Sequence, residues 1–278
     1  MNAADIKARL EKLNMRANAA LGQNFLCDDE TADKIARAAA DDGRVQVLEI
    51  GPGLGALTEK LLLYANRVTA VEIDSGMVRA LNEEFSAQIE SGYLTIVHSD
   101  ILKFDFDSLD GQFIAAGNLP YYITTPIVLS LLRRAKKIPR MVLMVQKEAA
   151  RRFFARPKDS VYGPLAITAQ LFYDCETLSS LTPASYYPQP EVDSEVVLLK
   201  RKIDAPDIDP ALFCRFLENI FAMRRKTVYN NLKSIMPSAD AANASLERAG
   251  IAPSARAEAL SIDELVRLYR EYAPEAGS

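Results

Sequence analysis

Between residues 31 and 145, short apolar runs alternate with stretches of helical period, and this alternation limits the chain to few folds. The spacing predicts a helix over Thr31–Ala40 behind Asp28 and Asp29, a strand over Val45–Ile50, and a helix over Ala56–Tyr64. A strand over Arg67–Ile73 and a helix over Gly76–Phe85 come next. Strands over Tyr93–Val97, Phe113–Ala116 and Met141–Val145 follow, with a helix over Pro126–Arg134 before the last. Repetition of this kind implies an α/β fold with a mostly parallel sheet and helices on both faces. Leu165–Tyr173 and Glu195–Lys200 read as antiparallel edge strands that close the sheet. At residues 203–210 two prolines and three aspartates break the pattern. Four helical segments lie beyond: Ala211–Ala222, Thr227–Ile235, Ala241–Ala249 and Ile262–Tyr272. The expectation is an α/β domain over residues 1–203 and a small all-α domain over 204–278.

Composition narrows the functional classes. No run of about 18 uncharged apolar residues occurs, and Met1–Arg16 is charged throughout, so neither a membrane span nor a targeting segment is read and a cytoplasmic location is expected. Cys27, Cys175 and Cys214 are odd in number and widely spaced, and His98 is the chain's one histidine. Neither a disulfide framework nor a metal site is expected from them. His98 itself reads as a surface or packing residue. The net charge is −4, which by itself speaks against a polyanionic partner. Its distribution does not: from Arg133 to Lys158 ten basic residues stand against Glu148 alone. So polarised a chain can hold phosphates on one side and stay soluble.

Gly51-Pro52-Gly53-Leu54-Gly55-Ala56 lies between a predicted strand and a predicted helix, and Glu72 closes the next strand. Glycines there let a ligand approach the backbone, and a carboxylate at that distance suits a ribose diol. The motif serves NAD and S-adenosylmethionine equally. Asp100, after the third strand, is placed to accept from an adenine amino group, with Ile73 and Ile101 on either side of the ring. Gly51, Glu72, Asp100 and Asn118 all fall at the carboxyl ends of consecutive strands, which makes one crevice. Asn118-Leu119-Pro120-Tyr121 adds a grip for a planar amine. The Asn118 side-chain oxygen and the Leu119 carbonyl can accept both amine protons, Pro120 fixes the turn, and Tyr121 offers a stacking face. An NAD enzyme has no need of that grip; an amino-group methyltransferase does.

With Leu21-Gly22-Gln23-Asn24-Phe25-Leu26 added, the chain resembles the KsgA-type ribosomal RNA adenine dimethyltransferases over nearly its whole length. The resemblance also rests on Gln146-Lys147-Glu148, Tyr162-Gly163, Pro188-Gln189-Pro190-Glu191-Val192-Asp193-Ser194 and Phe221-Ala222-Met223-Arg224-Arg225-Lys226-Thr227. It implies a Rossmann-like S-adenosylmethionine-dependent methyltransferase sheet, with residues 1–27 contributing to the cofactor site. Gln23, Asn24, Leu26, Gly51, Glu72, Asp100 and Asn118 would hold the cofactor. Asn118, Leu119, Tyr121 and Tyr186 would form the catalytic grip, the two tyrosines stacking on opposite faces of the target base. The expected substrate is 16S ribosomal RNA in a pre-30S particle, dimethylated on two adjacent adenosines near its 3′ end by a monomeric enzyme. Arg224-Arg225-Lys226 is a second candidate RNA contact. A large-subunit rRNA methyltransferase and a non-catalytic ribosome-assembly or transcription factor of the same fold are the alternatives. Tyr186 stands where the family commonly has Phe, and Glu191 where Lys is usual. Residues 17–20 (Ala17, Asn18, Ala19, Ala20) lack the basic side chains often found there.

Overall fold

The computed structural model describes residues 1–18, 21–40 and 45–272; Ala19 and Ala20 lie outside them. In chain order the elements begin with α1 (Ala3–Lys12), β1 (Phe25–Leu26), α2 (Asp29–Ala39), β2 (Gln46–Ile50), α3 (Ala56–Tyr64), β3 (Arg67–Glu72), α4 (Ser75–Glu84) and α5 (Ser86–Glu90). There follow β4 (Leu94–His98), β5 (Ile114–Asn118), α6 (Thr124–Leu132), β6 (Arg140–Gln146), α7 (Lys147–Ala150), α8 (Pro164–Phe172), β7 (Tyr173–Leu181), β8 (Tyr186–Tyr187) and β9 (Ser194–Arg201). The last four helices are α9 (Pro210–Ile220), α10 (Val228–Lys233), α11 (Ala239–Ala249) and α12 (Ile262–Tyr272).

Seven strands form one sheet in the order β4-β3-β2-β5-β6-β9-β7. The pairs β4–β3, β3–β2, β2–β5 and β5–β6 are parallel, and β9 runs antiparallel to β6. Winding goes outward one way through β2, β3 and β4, then the other way through β5 and β6. The carboxyl ends of β2 and β5 therefore flank a topological switch point, where open α/β sheets bind ligands. Consecutive residues of the central strands are both buried: Val47 and Leu48 on β2, and Ile114 and Ala115 on β5. Both faces of the sheet are thus covered, as near-continuous apolar strands require.

The chain divides into two compact units. The first holds residues 1–131, 135–150 and 174–201; the second holds 132–134, 151–173 and 202–278. The expected division into 1–203 and 204–278 leaves α8 on the other side of this boundary. Leu165–Tyr173 is not an edge strand: it forms α8, started by Pro164 at the first helical position after Gly163, and the outermost strand is β7 just after it. Leu165, Ala166, Ile167, Thr168, Ala169 and Phe172 are all buried, so no polar stripe betrays the helical period. In the second unit Phe172 meets Phe213 of α9 edge to face, and Phe213 and Phe216 pack on Tyr269 of α12.

The charged N-terminal stretch is ordered by a capping box between Asn2 and Asp5, which starts α1. Ile6 and Leu10 are the buried side of that helix, clustered with Phe25, Leu54 and Met77. In this way α1 covers the segment that carries Gln23, Asn24 and Leu26. Leu26 also pairs with Tyr186 and Phe25 with Tyr187 in a separate two-stranded ribbon, β1–β8.

Candidate functional site

At the switch point the first unit holds an open crevice, walled by residues 21–26, the loop after β2, the ends of β3 and β5, and Ser99–Ile101. Gly51, Gly53 and Gly55 all lie at positive φ, which lets the loop turn sharply from β2 into α3. Gly55 is the N-cap of α3 and supplies no side-chain cap, so the first amides of that helix face the loop uncapped.

Three carboxylates line the cavity, Glu49, Glu72 and Asp100, and no lysine, arginine or histidine does so among the described residues. Glu72 is buried; its oxygens accept from the N–H groups of Gly53 (3.1 Å), Ile73 (2.9 Å) and Asp74 (2.9 Å). Burial raises its pKa against the pull of those donors. Asp100 accepts from Leu102 N–H at 2.9 Å, which caps the short turn Ile101–Lys103. Ile73 and Ile101 are both on the wall. Such a wall offers no cationic side chain to a dinucleotide's pyrophosphate and suits a ligand that carries positive charge.

Gln23 braces the entrance: its amide donates to Asp74 Oδ2 at 3.1 Å and its oxygen accepts from Asn18 N–H at 2.8 Å. Asn118, the last residue of β5, donates from Nδ2 to the Asn24 carbonyl at 2.8 Å. A carbonyl can only accept, so this bond fixes which end of the amide is which and turns Oδ1 to the ligand. Leu119 is held by its N–H to the Met144 carbonyl at 2.9 Å, while its own carbonyl accepts no hydrogen bond among the described residues. Thr124 Oγ1 donates to the Pro120 carbonyl at 3.0 Å and so locks the turn into α6. Tyr121 is half-buried, with its hydroxyl 3.3 Å from Ser194 Oγ.

Asn24, Leu26, Gly51, Asn118, Leu119 and Tyr121 thus share one wall with Gln23, Glu72 and Asp100. Tyr186 is not among them. Its ring is 1% exposed in the core under β1–β8, and its hydroxyl lies beside that of Ser194 without a proper hydrogen bond. Tyr122, beside Tyr121, lines the cavity with 56% of its surface exposed. One further residue escaped sequence reading: Glu49 looked like one more position of a buried strand, its signal being a lone acid in an apolar run. Ser194, the last residue of a motif that carries the resemblance, meets the Tyr121 hydroxyl. His98 is exposed, its Nε2 3.1 Å from the Ile73 carbonyl, outside the chemistry.

The basic window loses part of its charge to partners remote in sequence: Arg133 pairs with Glu218, Lys137 with Asp107, and Lys147 with Asp193, while Arg140 donates to the Ala38 carbonyl. In the second unit Arg224, Arg225 and Lys226 stand exposed on a turn that buried Asn231 fastens through Met223 and Thr227. Among the described residues no three acidic, cysteine or histidine side chains are grouped to hold a metal, and no helix is long and apolar enough to cross a membrane.

Known proteins match this arrangement along almost all of the chain. The sequence profile described as ribosomal RNA adenine dimethylase matches residues 14–274. Ribosomal RNA small subunit methyltransferase A of Clostridium acetobutylicum is 36% identical over 268 residues, 94% of this chain and 96% of that protein. The protein of the same name from Acidobacterium capsulatum is 39% identical over 255 residues, 90% and 89% of the two chains. Among solved structures, a dimethyladenosine transferase from Plasmodium falciparum superposes with a TM-score of 0.72 at 27% identity, covering 91% of this chain and 98% of that one. The 23S rRNA methyltransferase ErmE superposes with a TM-score of 0.61 at 26% identity, covering 89% and 99%. The chain, with its parallel sheet, its acidic crevice and its Asn118 turn, belongs to the ribosomal RNA adenine dimethylase family.

Proposed function

We propose that this protein uses S-adenosylmethionine to dimethylate the exocyclic amino groups of two adjacent adenosines near the 3′ end of 16S rRNA, within a pre-30S particle in the cytoplasm. The observation that carries the reading is the Asn118 amide, whose Nδ2 is engaged by Asn24 and whose Oδ1 is thereby presented as an acceptor beside the Leu119 carbonyl. The relatives named small subunit methyltransferase A support the small-subunit assignment.

The crevice fits the cofactor. Its three carboxylates suit a ligand carrying positive charge at a sulfonium and an ammonium, and the uncapped start of α3 suits a carboxylate. Glu72 would hold the ribose hydroxyls, Asp100 the adenine amine, and Gln23, Asn24, Leu26, Gly51 and Asn118 the remainder. When bound, the cofactor supplies an electrophilic methyl group. Asn118 Oδ1 and the Leu119 carbonyl hold the two protons of the target amine, drawing its nitrogen toward tetrahedral geometry and freeing its lone pair. Neither residue has to act as a strong base, because the proton passes to water once the nitrogen has been alkylated. Tyr121 stacks on the base, at roughly 1–3 kcal/mol per stacked base. Tyr186 takes the opposite face only if the β1–β8 ribbon gives way, so the grip begins from Tyr121.

Primer extension across small-subunit rRNA from a strain lacking this protein, with and without its restoration, tests the reading. Stops at two adjacent adenosines near the 3′ end should appear only on restoration. Stops on large-subunit rRNA instead would move the substrate to that subunit, and no stops with normal particle assembly would point to a non-catalytic factor.

A further inference from the structure

The turn after β5 carries two tyrosines, and only Tyr121 has a part in the grip described above. Residues Tyr121–Ile123 form a single 3₁₀ turn, and at 3.0 residues per turn neighbouring side chains leave it about a third of a circle apart. Tyr121 goes inward, half-buried, with its hydroxyl toward Ser194. Tyr122 goes outward: it stays on the crevice wall, yet is more than half exposed, and its hydroxyl makes no hydrogen bond among the described residues. One side of its ring lies along Gly22, where an added Cβ would stand 3.5 Å from Cδ1 and 3.8 Å from Cε1. Its footing is fixed, because Leu119 N–H donates to the Met144 carbonyl and Thr124 Oγ1 to the Pro120 carbonyl. A lone aromatic elsewhere on the surface would need no explanation. Here the wall has no lysine or arginine among the described residues, so no cationic side chain can hold a phosphate there. The base is the part of a nucleotide that such a wall can hold.

We propose that Tyr122 is a second base platform: its open ring face stacks on the base next to the target adenine and seats one adenosine of the pair while the other is methylated. The inference rests on the reading of two adjacent adenosines above. Both cannot enter the grip together, because one amine occupies the Asn118 oxygen and the Leu119 carbonyl. Turning the first base out of its stack also strips a stacking partner from its neighbour. An aromatic face replaces that partner whatever the base, since every base has a π-face. Tyr121 and Tyr122 have Cα atoms about 3.8 Å apart and point in different directions, which suits two neighbouring bases that have been drawn apart and not a stacked pair. The division of labour follows from the geometry: Asn118 and Leu119 select an amine, and Tyr122 holds the adjoining nucleotide in reach without reading its edge.

Steady-state methyl transfer by the full-length protein to pre-30S particles tests this, with calorimetric binding of S-adenosylhomocysteine alongside. Tyr122→Ala should raise the KM for the particle about tenfold or more, the worth of one stacked base, with a much smaller change in kcat. Tyr122→Phe keeps the ring and should bring the KM back to within about twofold of the wild type. Particles in which one of the two adenosines is abasic supply the second arm, with transfer to the remaining adenosine measured. On them the wild type should lose about as much as Tyr122→Ala loses on intact particles, and the substitution should cost little more, since ring and base are removed from the same contact. An unmoved KM in Tyr122→Ala, or a Tyr122→Phe as weak as Tyr122→Ala, would overturn the assignment. So would a full Tyr122→Ala defect on abasic particles, which would give the ring another partner. Weaker binding of S-adenosylhomocysteine by Tyr122→Ala, matching the rise in KM, would make the ring a cover for the cofactor instead. Failure of the wild type to methylate either adenosine in intact particles would take down the functional reading together with this one.

Discussion

Because Nδ2 of Asn118 donates to the Asn24 carbonyl, Oδ1 is the end of that amide turned to accept from an incoming amine. Asn118→Ala removes the acceptor and the brace on Asn24 together. Methyl transfer should fall by about two orders of magnitude or more, as when a positioned hydrogen-bonding group is lost from an active site, while filter binding of the rRNA should hold. Equal loss of both would refute the role. Glu49 leads to a second prediction, on stability. Its carboxyl titrates at 4.5 ordinarily and at about 8 in the folded, ligand-free protein. Between those values the folded chain keeps a proton that the unfolded chain has lost. Its contribution therefore falls as pH rises through that window, by at most about 1.4 kcal/mol per unit, and levels off above it. Glu49→Gln lacks this titration. Urea unfolding of both proteins across that range should show the variant gaining on the wild type as pH rises, and parallel curves would show Glu49 to be charged already. Glu72, Asp100 and Asn118 were legible because a residue at the end of a parallel strand in this order has one place to go. Glu49 was not, since its importance lies in an oxygen that packing leaves without a donor. The burial of Tyr186 was illegible for a related reason: it accompanies pairing with Leu26, 160 positions away, which no local pattern encodes.

At the scale of elements, the crevice depends on how closely β2 and β5 approach at its floor. Gly117 on β5 is the tightest point, since a Cβ there would stand 2.5 Å from the Ile50 carbonyl oxygen and 3.2 Å from its Cβ. Both are parts of a buried strand and cannot swing aside. Gly117→Ala should cost roughly 1–3 kcal/mol, the usual range for overpacking. It should also weaken cofactor binding, because Ile50 leads directly into Gly51. Thermal unfolding and equilibrium binding of S-adenosylhomocysteine check the two effects; an unchanged melting temperature would mean that β2 has slack. The parallel strands and their helices could be read from the chain because apolar period and turn residues agree there. Where they disagree the reading failed: α8, buried nearly all round, carries the same apolar run as a central strand, and β7 is too polar to look like one. α1 hid behind its charge, although Ile6 and Leu10 four positions apart mark a helix face.

Charge is a property of the whole molecule, and here a count along the sequence misjudged it in a definite direction. Arg133, Lys137 and Lys147 are paired with acids 85, 30 and 46 positions away, so a window that sees ten bases and one acid overstates the field available to phosphates. The same reasoning divides the Arg224-Arg225-Lys226 turn. Arg224 lies against Glu258, at 3.3 Å from Nε and 3.2 Å from its terminal nitrogen, and must leave that carboxylate to reach a phosphate. Arg225 and Lys226 are exposed on the same turn, outside that pair. Each phosphate contact releases counterions and contributes about 0.7–0.9 to the slope of log affinity against log salt. Arg225→Gln and Lys226→Gln should each flatten the slope for rRNA binding by about that much, and Arg224→Gln by clearly less. A salt series of filter-binding measurements on the three variants decides it. Three equal changes would mean that the Arg224–Glu258 pair opens on binding, and no change in any would remove this turn from the RNA interface and leave phosphate contact to the other unit's cations.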